Sequence, residues 1–245
     1  MDVHDKTAIV TGAGGGLGRV LALKLAAAGM RIVVADVDGE AAVLTAHLVE
    51  ECGSSASVVV ADVRSPADAS RIVAAAESRG GPHVLVNNAG GWTPGAQYPD
   101  ARPTSWASTL ELNLHAPMLL TQLALPSMQR LGGGAVVNIA SSAALGHEAY
   151  GSPEYGAAKA GLIRFTTAAR GLGESHGVRV MCVVPDWIGL DRAVDEWNAL
   201  SPEERAARPM LIPPADVADL VLTLARTGEA GAVIELQGGQ PSIDG

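Results

Sequence analysis

The stretch that decides the fold reads Thr7-Ala8-Ile9-Val10-Thr11-Gly12-Ala13-Gly14-Gly15-Gly16-Leu17-Gly18. Its first four residues predict a strand buried on both faces. Its glycines fit the pattern T-G-x-x-x-G-x-G, and a helical pattern follows over 16–28. Such a turn lets the backbone approach a pyrophosphate, which the free N–H groups of the helix N-terminus would bind. The alternative interpretation is a flexible tight turn without a ligand.

The same alternation of strand and helix continues along the chain. Further strands are predicted at 31–35, 57–61, 84–86, 134–140, 178–184 and 232–236, and further helices at 39–52, 66–79, 103–130, 153–174 and 215–226. Nearly every strand is a continuous apolar run, which is typical of a parallel sheet covered by helices. We therefore predict one α/β domain over 1–245, a doubly wound Rossmann-like fold with a seven-stranded parallel sheet and helices on both faces.

One segment breaks this rhythm. Residues 185–214 are rich in Pro, Trp, Glu and Arg and contain no predicted strand or helix. A connection of this length in a compact domain is usually functional. We interpret 185–214 as a lid over a substrate site.

Composition excludes several classes of protein. Hydrophobic residues make up 48% and charged residues 18% of the 245 residues, which excludes a disordered chain. The net charge of -9 argues against a nucleic-acid partner. No apolar run reaches the ~18 residues of a membrane span, and the N-terminus does not resemble a signal peptide. The two cysteines and six scattered histidines predict no metal site, and a cytoplasmic location is expected.

Asp36 ends the second predicted strand, 18 positions after Gly18. A carboxylate there can accept both hydroxyls of an adenosine ribose and would repel a 2′-phosphate. Neither Gly15 nor Val37 supplies a cation that would attract that phosphate. The pattern therefore favours NAD over NADP as cofactor, and an ordinary turn aspartate is the alternative.

Tyr155 and Lys159 stand four residues apart in a predicted helix, so they share one helix face. The chain has only three Tyr and three Lys, which makes a chance pair improbable. A nearby ammonium lowers the pKa of a phenol and would let it exchange a proton with an alcohol or a ketone. A solvated helix pair without chemistry is the alternative.

With these motifs in place, the chain resembles the classical short-chain dehydrogenases/reductases over essentially its whole length. The marks of the resemblance are Thr11 to Gly18, Asp62, the stretch Asn87-Asn88-Ala89-Gly90, Asn113, Ser142, and Tyr155 with Lys159. Ser142 precedes Tyr155 by 13 positions, the family's separation. The resemblance implies that Tyr155 is the general acid/base and that Ser142 orients the substrate oxygen. Lys159 would bind the nicotinamide ribose, and Asn113 would hold a water in a proton relay.

The resemblance also implies a set of cofactor contacts. The residues expected to bind NAD are Gly12, Gly15, Gly16, Leu17, Gly18, Asp36, Val37, Asp62, Val63, Asn88, Ala89, Gly90, Tyr155, Lys159, Pro185 and Ile188. Turn or helix-kink roles for the asparagines are the alternative.

The end of the sixth strand departs from the family pattern. Asp186 follows Pro185 where the family has Gly, and Leu190 stands where a Thr would hold the nicotinamide carboxamide. We expect the charge of Asp186 to favour the oxidised, cationic ring. A solvated loop aspartate that points away is an equal alternative.

Aromatic residues concentrate where the family's substrate pocket would lie. We expect Trp92, Tyr150 and Trp187, together with Ser142, to contact the substrate. With Leu145, Leu190, Trp197, Met210 and Leu211 they would line an apolar cleft, or else pack the lid onto the domain. His147 and Glu148 could add polar contacts, although a surface turn is the simpler role for both.

The sequence thus predicts an NAD-dependent oxidoreductase that interconverts a secondary alcohol and a ketone. We expect its substrate to be an apolar small molecule. A non-redox isomerase or dehydratase on the same scaffold and a non-catalytic NAD-binding sensor are the alternatives. The resemblance further implies a homo-oligomer, a tetramer or a dimer, with the 103–130 and 153–174 helices in the interface.

Overall fold

A computed structural model describes residues 1–92, 95–146 and 150–239 of the chain. Seven parallel strands form one sheet in the order β3-β2-β1-β4-β5-β6-β7. The strands are β1 (Thr7–Thr11), β2 (Arg31–Asp36), β3 (Ala56–Val60), β4 (Val84–Asn87), β5 (Gly134–Ile139), β6 (Val178–Pro185) and β7 (Val233–Leu236). The predicted fold class is confirmed.

Helices connect the strands and cover the sheet. They are α1 (Gly16–Ala27), α2 (Gly39–Glu51), α3 (Pro66–Glu77), α4 (Pro103–Leu110), α5 (Ala116–Arg130), α6 (Pro153–Ala168), α7 (Leu172–His176), α8 (Asp191–Ala199), α9 (Pro202–Ala206) and α10 (Pro214–Thr227). None of the helices in the described ranges is long and apolar enough to cross a membrane.

Two apolar cores lie on opposite faces of the sheet because successive strand residues point to opposite sides. In β1, Ala8 and Val10 belong to the core under α1 and α10, whereas Ile9 belongs to the core under α3 and α5. Leu21 on α1 and Leu120 on α5 are buried representatives of the two cores. The continuous apolar strands of the sequence reflect this burial on both faces.

The predicted long helix 103–130 is interrupted. A π-helical turn, Glu111–His115, separates α4 from α5. The turn ends just before Pro117 in the first turn of α5. Such turns are rare and often accompany functional sites, because they displace one residue from the regular helical pattern. Here that turn carries Asn113.

The segment 185–214 is a helical flap rather than an irregular loop. It contains α8 and α9, and a parallel bridge joins Ile188 to Ile212 at its base. Trp187 and Trp197 meet edge to face within it, with ring centroids 6.0 Å apart. The sequence did not predict α8 and α9 because both helices are short and most of their residues are exposed.

The sheet order reverses at β1, since β2 lies on one side of it and β4 on the other. The loops that leave the carboxyl ends of β1 and β4 therefore run in opposite directions and open a crevice between them. Ligands of open α/β sheets bind at such a switch point. The fold places the candidate site there.

Candidate active site

The glycine turn after β1 is closely packed. A Cβ atom at Gly18 would lie 1.9 Å from the carbonyl oxygen of Gly12. Gly12 itself has φ +62°, and a Cβ there would lie 2.9 Å from Cα of Ala89. Both positions require glycine, because a side chain at either would push the turn away from the loop after β4.

The N-terminus of α1 remains available for an anion. Gly15 is its N-cap residue, no side chain caps it, and no acidic residue occupies the first turn. Its N–H groups thus face the crevice together with the positive end of the helix dipole. The turn fits a pyrophosphate, since it combines free donors with a surface that a Cβ atom would obstruct.

Asn88 ties this turn to the strand beside it. Its Nδ2 donates to the carbonyl oxygens of Thr11 and Gly12, at 2.9 and 3.2 Å. The N–H groups of Asn88 and Ala89 both donate to Oγ1 of Thr11, at 3.1 and 3.0 Å. Asn88 therefore holds the glycine turn through its backbone, and it also lines the cleft in which the resemblance implies a cofactor contact.

A side pocket of about 250 Å³ opens at the carboxyl ends of β2 and β3. Asp36, Val37, Asp62 and Val63 line it, as expected for an adenosine site. One Asp36 oxygen accepts from the N–H of Gly14 at 2.7 Å, and the other accepts from Asp38 at 3.0 Å. Asp36 is thereby held at the edge of the pocket.

Arg64 is a residue of this pocket that the sequence did not point out. Its guanidinium binds both carboxylate oxygens of Asp62, with the shortest contact at 2.6 Å. This hydrogen bonding lowers the pKa of Asp62. Any adenine contact with Asp62 would be made to a carboxylate that Arg64 already holds in place.

The crevice continues as a cleft of about 450 Å³ that joins the glycine turn to α6. The expected cofactor residues that line this cleft are Gly12, Gly15, Leu17, Gly18, Asn88, Ala89, Gly90, Tyr155, Lys159, Pro185 and Ile188. Gly16 is the one expected cofactor residue that lines neither the cleft nor the side pocket. The sequence-predicted cofactor residues thus form one continuous surface.

Lys159 is buried beneath Tyr155. Its Nζ lies 5.6 Å from the centroid of the Tyr155 ring and donates to the carbonyl oxygen of Ile139 at 2.7 Å. Burial lowers the pKa of Lys159 to about 8. Burial also raises the pKa of Tyr155, which a hydrogen bond with the Ser141 side chain opposes. Burial therefore moves the pKa of Tyr155 in the direction opposite to the one expected from Lys159.

The two serines after β5 have different partners. Ser141 lies against Tyr155 and lines the cleft, whereas Ser142 lines only the adjoining cavity and its Oγ donates to Oδ1 of Asp186 at 2.8 Å. The structure therefore brings Ser141, and not the expected Ser142, to the tyrosine. Counting back 13 positions assumes a connection of fixed length, and Ser141 precedes Tyr155 by 14.

Asn113 lies beside the same site. Its side chain exchanges two hydrogen bonds with the backbone of Gly91, at 2.9 and 2.8 Å, and also donates to Thr109. A Cβ atom at Gly90 would lie 2.8 Å from Oδ1 of Asn113 and 3.1 Å from Nζ of Lys159. The loop after β4 is thus fitted between Asn113 and Lys159.

A buried polar chain holds α6 in position. Asn87 on β4 donates to Asn138 on β5 at 2.8 Å, and Asn138 donates to Thr166 on α6 at 3.0 Å. Asn87 and Asn138 are register partners in the sheet. Because buried amides need such partners, this series of hydrogen bonds fixes α6, and with it Tyr155, relative to the strands.

A larger cavity of about 660 Å³ adjoins the cleft. The expected substrate residues Trp92, Tyr150, Trp187 and Ser142 all line it. Charged side chains that the sequence did not assign to the substrate also line it, namely Asp186, Arg192, Glu196 and Arg208. The cavity is therefore more polar than expected. Leu145, Leu190, Trp197, Met210 and Leu211 are not among its lining residues, and His147 and Glu148 lie outside the described residues.

The two arginines stack on the aromatic walls. The Arg192 guanidinium lies 5.2 Å from the Trp92 ring, and that of Arg208 lies 5.8 Å from the Trp187 ring. Arg192 also pairs with Glu196 at 3.1 Å. The contact of Arg192 with Trp92 holds the flap against the cavity, and it could not be read from the sequence because it joins the flap to a distant segment. The contacts of Arg208 with Trp187 and of Arg192 with Glu196 lie within the flap.

Across residues 1–92, 95–146 and 150–239, no three His, Cys, Asp or Glu side chains come together as a metal site would require. The site is built instead from backbone N–H groups, hydroxyls and one buried ammonium.

Known proteins resemble this chain in sequence and in fold. The short chain dehydrogenase family model matches residues 6–199. The chain is 36% identical to the short-chain dehydrogenase/reductase FrzI of a Cladobotryum species, over 98% of this chain and 97% of that protein. It is 33% identical to a (3R)-3-hydroxyacyl-CoA dehydrogenase of Mus musculus, over 97% and 96% of the two chains. A 7α-hydroxysteroid dehydrogenase solved with NADH and 7-oxo glycochenodeoxycholic acid superposes with a TM-score of 0.85, at 28% identity over 98% and 96% of the two chains. The chain therefore belongs to the short-chain dehydrogenase/reductase family of oxidoreductases, which use a nicotinamide cofactor.

Proposed function

We propose that this protein is an NAD-dependent oxidoreductase that interconverts a secondary alcohol and a ketone. The observation that carries the proposal is the placement of Tyr155, Ser141 and Lys159 on one cleft with the uncapped N-terminus of α1. A bound nicotinamide would accept or return the hydride. The protein would supply binding, orientation and the proton transfer.

In this proposal each group has one task. The α1 N-terminus and the glycine turn bind the pyrophosphate, and Asp36 accepts the hydroxyls of the adenosine ribose. Tyr155 takes the proton of the alcohol or returns it to the ketone, and Ser141 orients the substrate oxygen. Lys159 binds the nicotinamide ribose and supplies positive charge below the phenol.

The raised pKa of Tyr155 gives the cofactor an electrostatic role in this scheme. Burial disfavours the phenolate in the protein alone. The oxidised nicotinamide is cationic, so its presence in the cleft would favour the phenolate, as would a protonated Lys159. We therefore expect Tyr155 to become an effective base only when the oxidised cofactor is bound.

Substitutions of the hydroxyl groups test these roles. Tyr155→Phe should lower kcat by about 100-fold or more while it leaves the NADH dissociation constant nearly unchanged, because general acid/base catalysis is lost and the ring remains.

Ser141→Ala should reduce kcat more than Ser142→Ala, since Ser141 is the serine beside the tyrosine. Steady-state rates and NADH fluorescence titrations measure both effects. Full activity of Tyr155→Phe, or a larger kcat loss in Ser142→Ala, would contradict this assignment.

The buried ammonium predicts a pH dependence of stability. The folded, cofactor-free protein holds the Lys159 pKa at about 8, whereas the ordinary value is 10.5. Between these two pH values the unfolded chain binds more protons than the folded protein, so Lys159 makes the free energy of unfolding rise with pH. Below about pH 8 the lysine is protonated in both states, and burial of its charge destabilises the folded protein fully. Urea unfolding of Lys159→Met from pH 7.5 to 10 should show a smaller rise than the parent.

The comparison with the variant is essential, because burial also raises the pKa of Tyr155 and raises that of Cys182 to about 12. These two groups make the free energy of unfolding fall with pH in both proteins. The fall is no smaller in the variant, because the charge of Lys159 lowers the Cys182 pKa in the parent. Equal slopes in the two proteins would show that Lys159 is not held in the buried state described above.

The cofactor preference rests on Asp36. Asp36→Ala should bring kcat/KM with NADP closer to the value with NAD, since the carboxylate that repels a 2′-phosphate is removed. Asp38→Ala is the matched control, because Asp38 caps α2 and does not line the side pocket. Rates at varied NAD and NADP give the ratio. A parent protein that already prefers NADP would refute the cofactor assignment.

Two rival functions use the same cofactor site. A non-redox isomerase or dehydratase would keep its NAD, and a sensor would bind NAD without turnover. The accumulation of reduced nicotinamide during turnover separates the proposal from both. The Tyr155, Ser141 and Lys159 set favours the enzyme over the sensor, because binding alone needs no hydroxyl pair above an ammonium.

The substrate in this proposal is a small-molecule alcohol or ketone whose apolar surface packs against Trp92 and Trp187. Neither nucleic acid nor a membrane is part of the proposal. The steroid ligand of the 7α-hydroxysteroid dehydrogenase makes ring alcohols a reasonable starting class. A screen of cyclic, steroid-like and short acyclic alcohols with NAD, with reduced cofactor as readout, would find the class.

We also propose that the protein forms a homo-oligomer, a tetramer or a dimer, through α4, α5 and α6. Met118 on α5 is 41% exposed, so its side chain is available for contact with a second copy of the chain. Met118→Asp should therefore weaken association in sedimentation experiments. Val43→Asp on α2 is the control, because Val43 is similarly exposed but lies outside the proposed interface. A parent protein that sediments as a monomer would refute this proposal.

A further inference from the structure

We propose that Asp186 and Ser142 bind a second hydroxyl group of the substrate, close to the alcohol that reacts. The inference rests on the proposed alcohol–ketone chemistry and narrows its substrate to a diol or a related hydroxylated alcohol. It assigns a role to the aspartate that stands where the family has glycine.

The pair is a hydrogen-bonding unit with unused capacity. The hydroxyl of Ser142 donates its one proton to Oδ1 of Asp186, at 2.8 Å. In the part of the chain that the structure describes, no other group donates to the Asp186 carboxylate. Asp186 is only half-buried, and it faces the large cavity with Ser142. The unit therefore presents acceptor atoms to the cavity and no donor.

A ligand that complements this unit must supply a donor. A carbonyl or an ether oxygen would meet the carboxylate with a lone pair, and an alkyl group would take water from a charged acceptor without replacing its hydrogen bond. A substrate hydroxyl can donate to Asp186 or to the Ser142 oxygen. A hydroxyl group thus satisfies the pair, whereas its absence leaves the carboxylate desolvated when the cavity fills.

The position of the pair indicates that the second hydroxyl lies near the one that reacts. Ser141, beside Tyr155, and Ser142, beside Asp186, are consecutive residues whose Cα atoms are ~3.8 Å apart. Asp186 lines both the cofactor cleft and the large cavity, so it stands at their junction. The second oxygen at Asp186 therefore belongs near the reacting oxygen at Tyr155, and diols with hydroxyls on neighbouring carbons are the simplest substrates with this arrangement.

The charges around the cavity favour a neutral donor over an ammonium or a carboxylate. Two cations, Arg192 and Arg208, and two anions, Asp186 and Glu196, line it. A carboxylate next to Asp186 would be repelled. The two cations and two anions balance, so an ammonium would gain no net attraction from the cavity as a whole and would still lose its hydration. A hydroxyl group carries neither penalty, and the flat walls of Trp92 and Trp187 are left for its carbon skeleton.

Matched alcohols test the inference. The wild-type protein, Asp186→Gly, Asp186→Asn and Asp195→Asn are compared with NAD and two probe pairs, cyclohexanol with 1,2-cyclohexanediol and 2-butanol with 2,3-butanediol. Asp195 is the control because it is an exposed aspartate of the flap that lines neither the cofactor cleft nor the large cavity. Initial rates give KM and kcat separately for each alcohol.

The wild-type protein should prefer the diol of at least one pair by about ten- to a hundredfold in kcat/KM, mostly through KM, because a hydrogen bond to a charged group is removed in the mono-alcohol. This preference exceeds the twofold statistical advantage that a diol has because either of its two hydroxyl groups can react. Asp186→Gly should lose the preference, Asp186→Asn should retain part of it, and Asp195→Asn should retain all of it. Ser142→Ala should raise the KM of the diol without a comparable fall in kcat.

Three results would overturn the inference and leave the proposed function intact. These are equal use of diols and mono-alcohols by the wild-type protein, a diol preference that survives in Asp186→Gly, or a preference for 2-aminocyclohexanol over the diol. If the protein binds NAD but oxidises none of the probes or the screened alcohols, the proposed function fails first, and the inference fails with it.

Discussion

The close approach of Gly18 to the carbonyl oxygen of Gly12 is the constraint on which the rest of the site depends. It allows α1 to start directly beneath the end of β1 and leaves the first N–H groups of the helix pointing into the crevice. Asn88 then fastens the same turn to the loop after β4. That loop carries Gly90, which fits between Asn113 and Lys159. One steric requirement therefore connects the phosphate cradle at one end of the cleft with the ammonium at the other.

Burial gives the other end of the cleft its electrostatic character. Lys159 lies beneath Tyr155 with a backbone carbonyl as its hydrogen-bond partner, and burial disfavours both the ammonium and the phenolate. Charges of either sign are therefore costly there in the protein alone. A cationic ring placed against the phenol would reduce the cost of the phenolate, which links proton transfer to occupancy of the cleft. The buried hydrogen bonds from Asn87 through Asn138 to Thr166 hold this helix against the sheet.

Sequence patterns predicted the sheet, its parallel strands and most helix positions, because buried strands and amphipathic helices leave strong periodic signals. They also located the glycine turn, Asp36, Tyr155 and Lys159, whose spacing is local. The serine was assigned less well. Ser141 and Ser142 are adjacent, and only the path of the chain between β5 and α6 determines which one meets the tyrosine. Asp186 was recognised as unusual, but its partner could not be deduced, since Ser142 lies 44 residues away in the chain. Arg192 was missed for the same reason, because its ring partner Trp92 is also distant in the chain.

A crystal structure of the protein with NAD tests the central claim most directly. The account predicts the pyrophosphate on the N–H groups at the start of α1, with the nicotinamide ring beside the hydroxyl of Tyr155 and its ribose within hydrogen-bonding distance of Lys159. A pyrophosphate bound elsewhere, or a Tyr155 hydroxyl directed away from the ring, would contradict it.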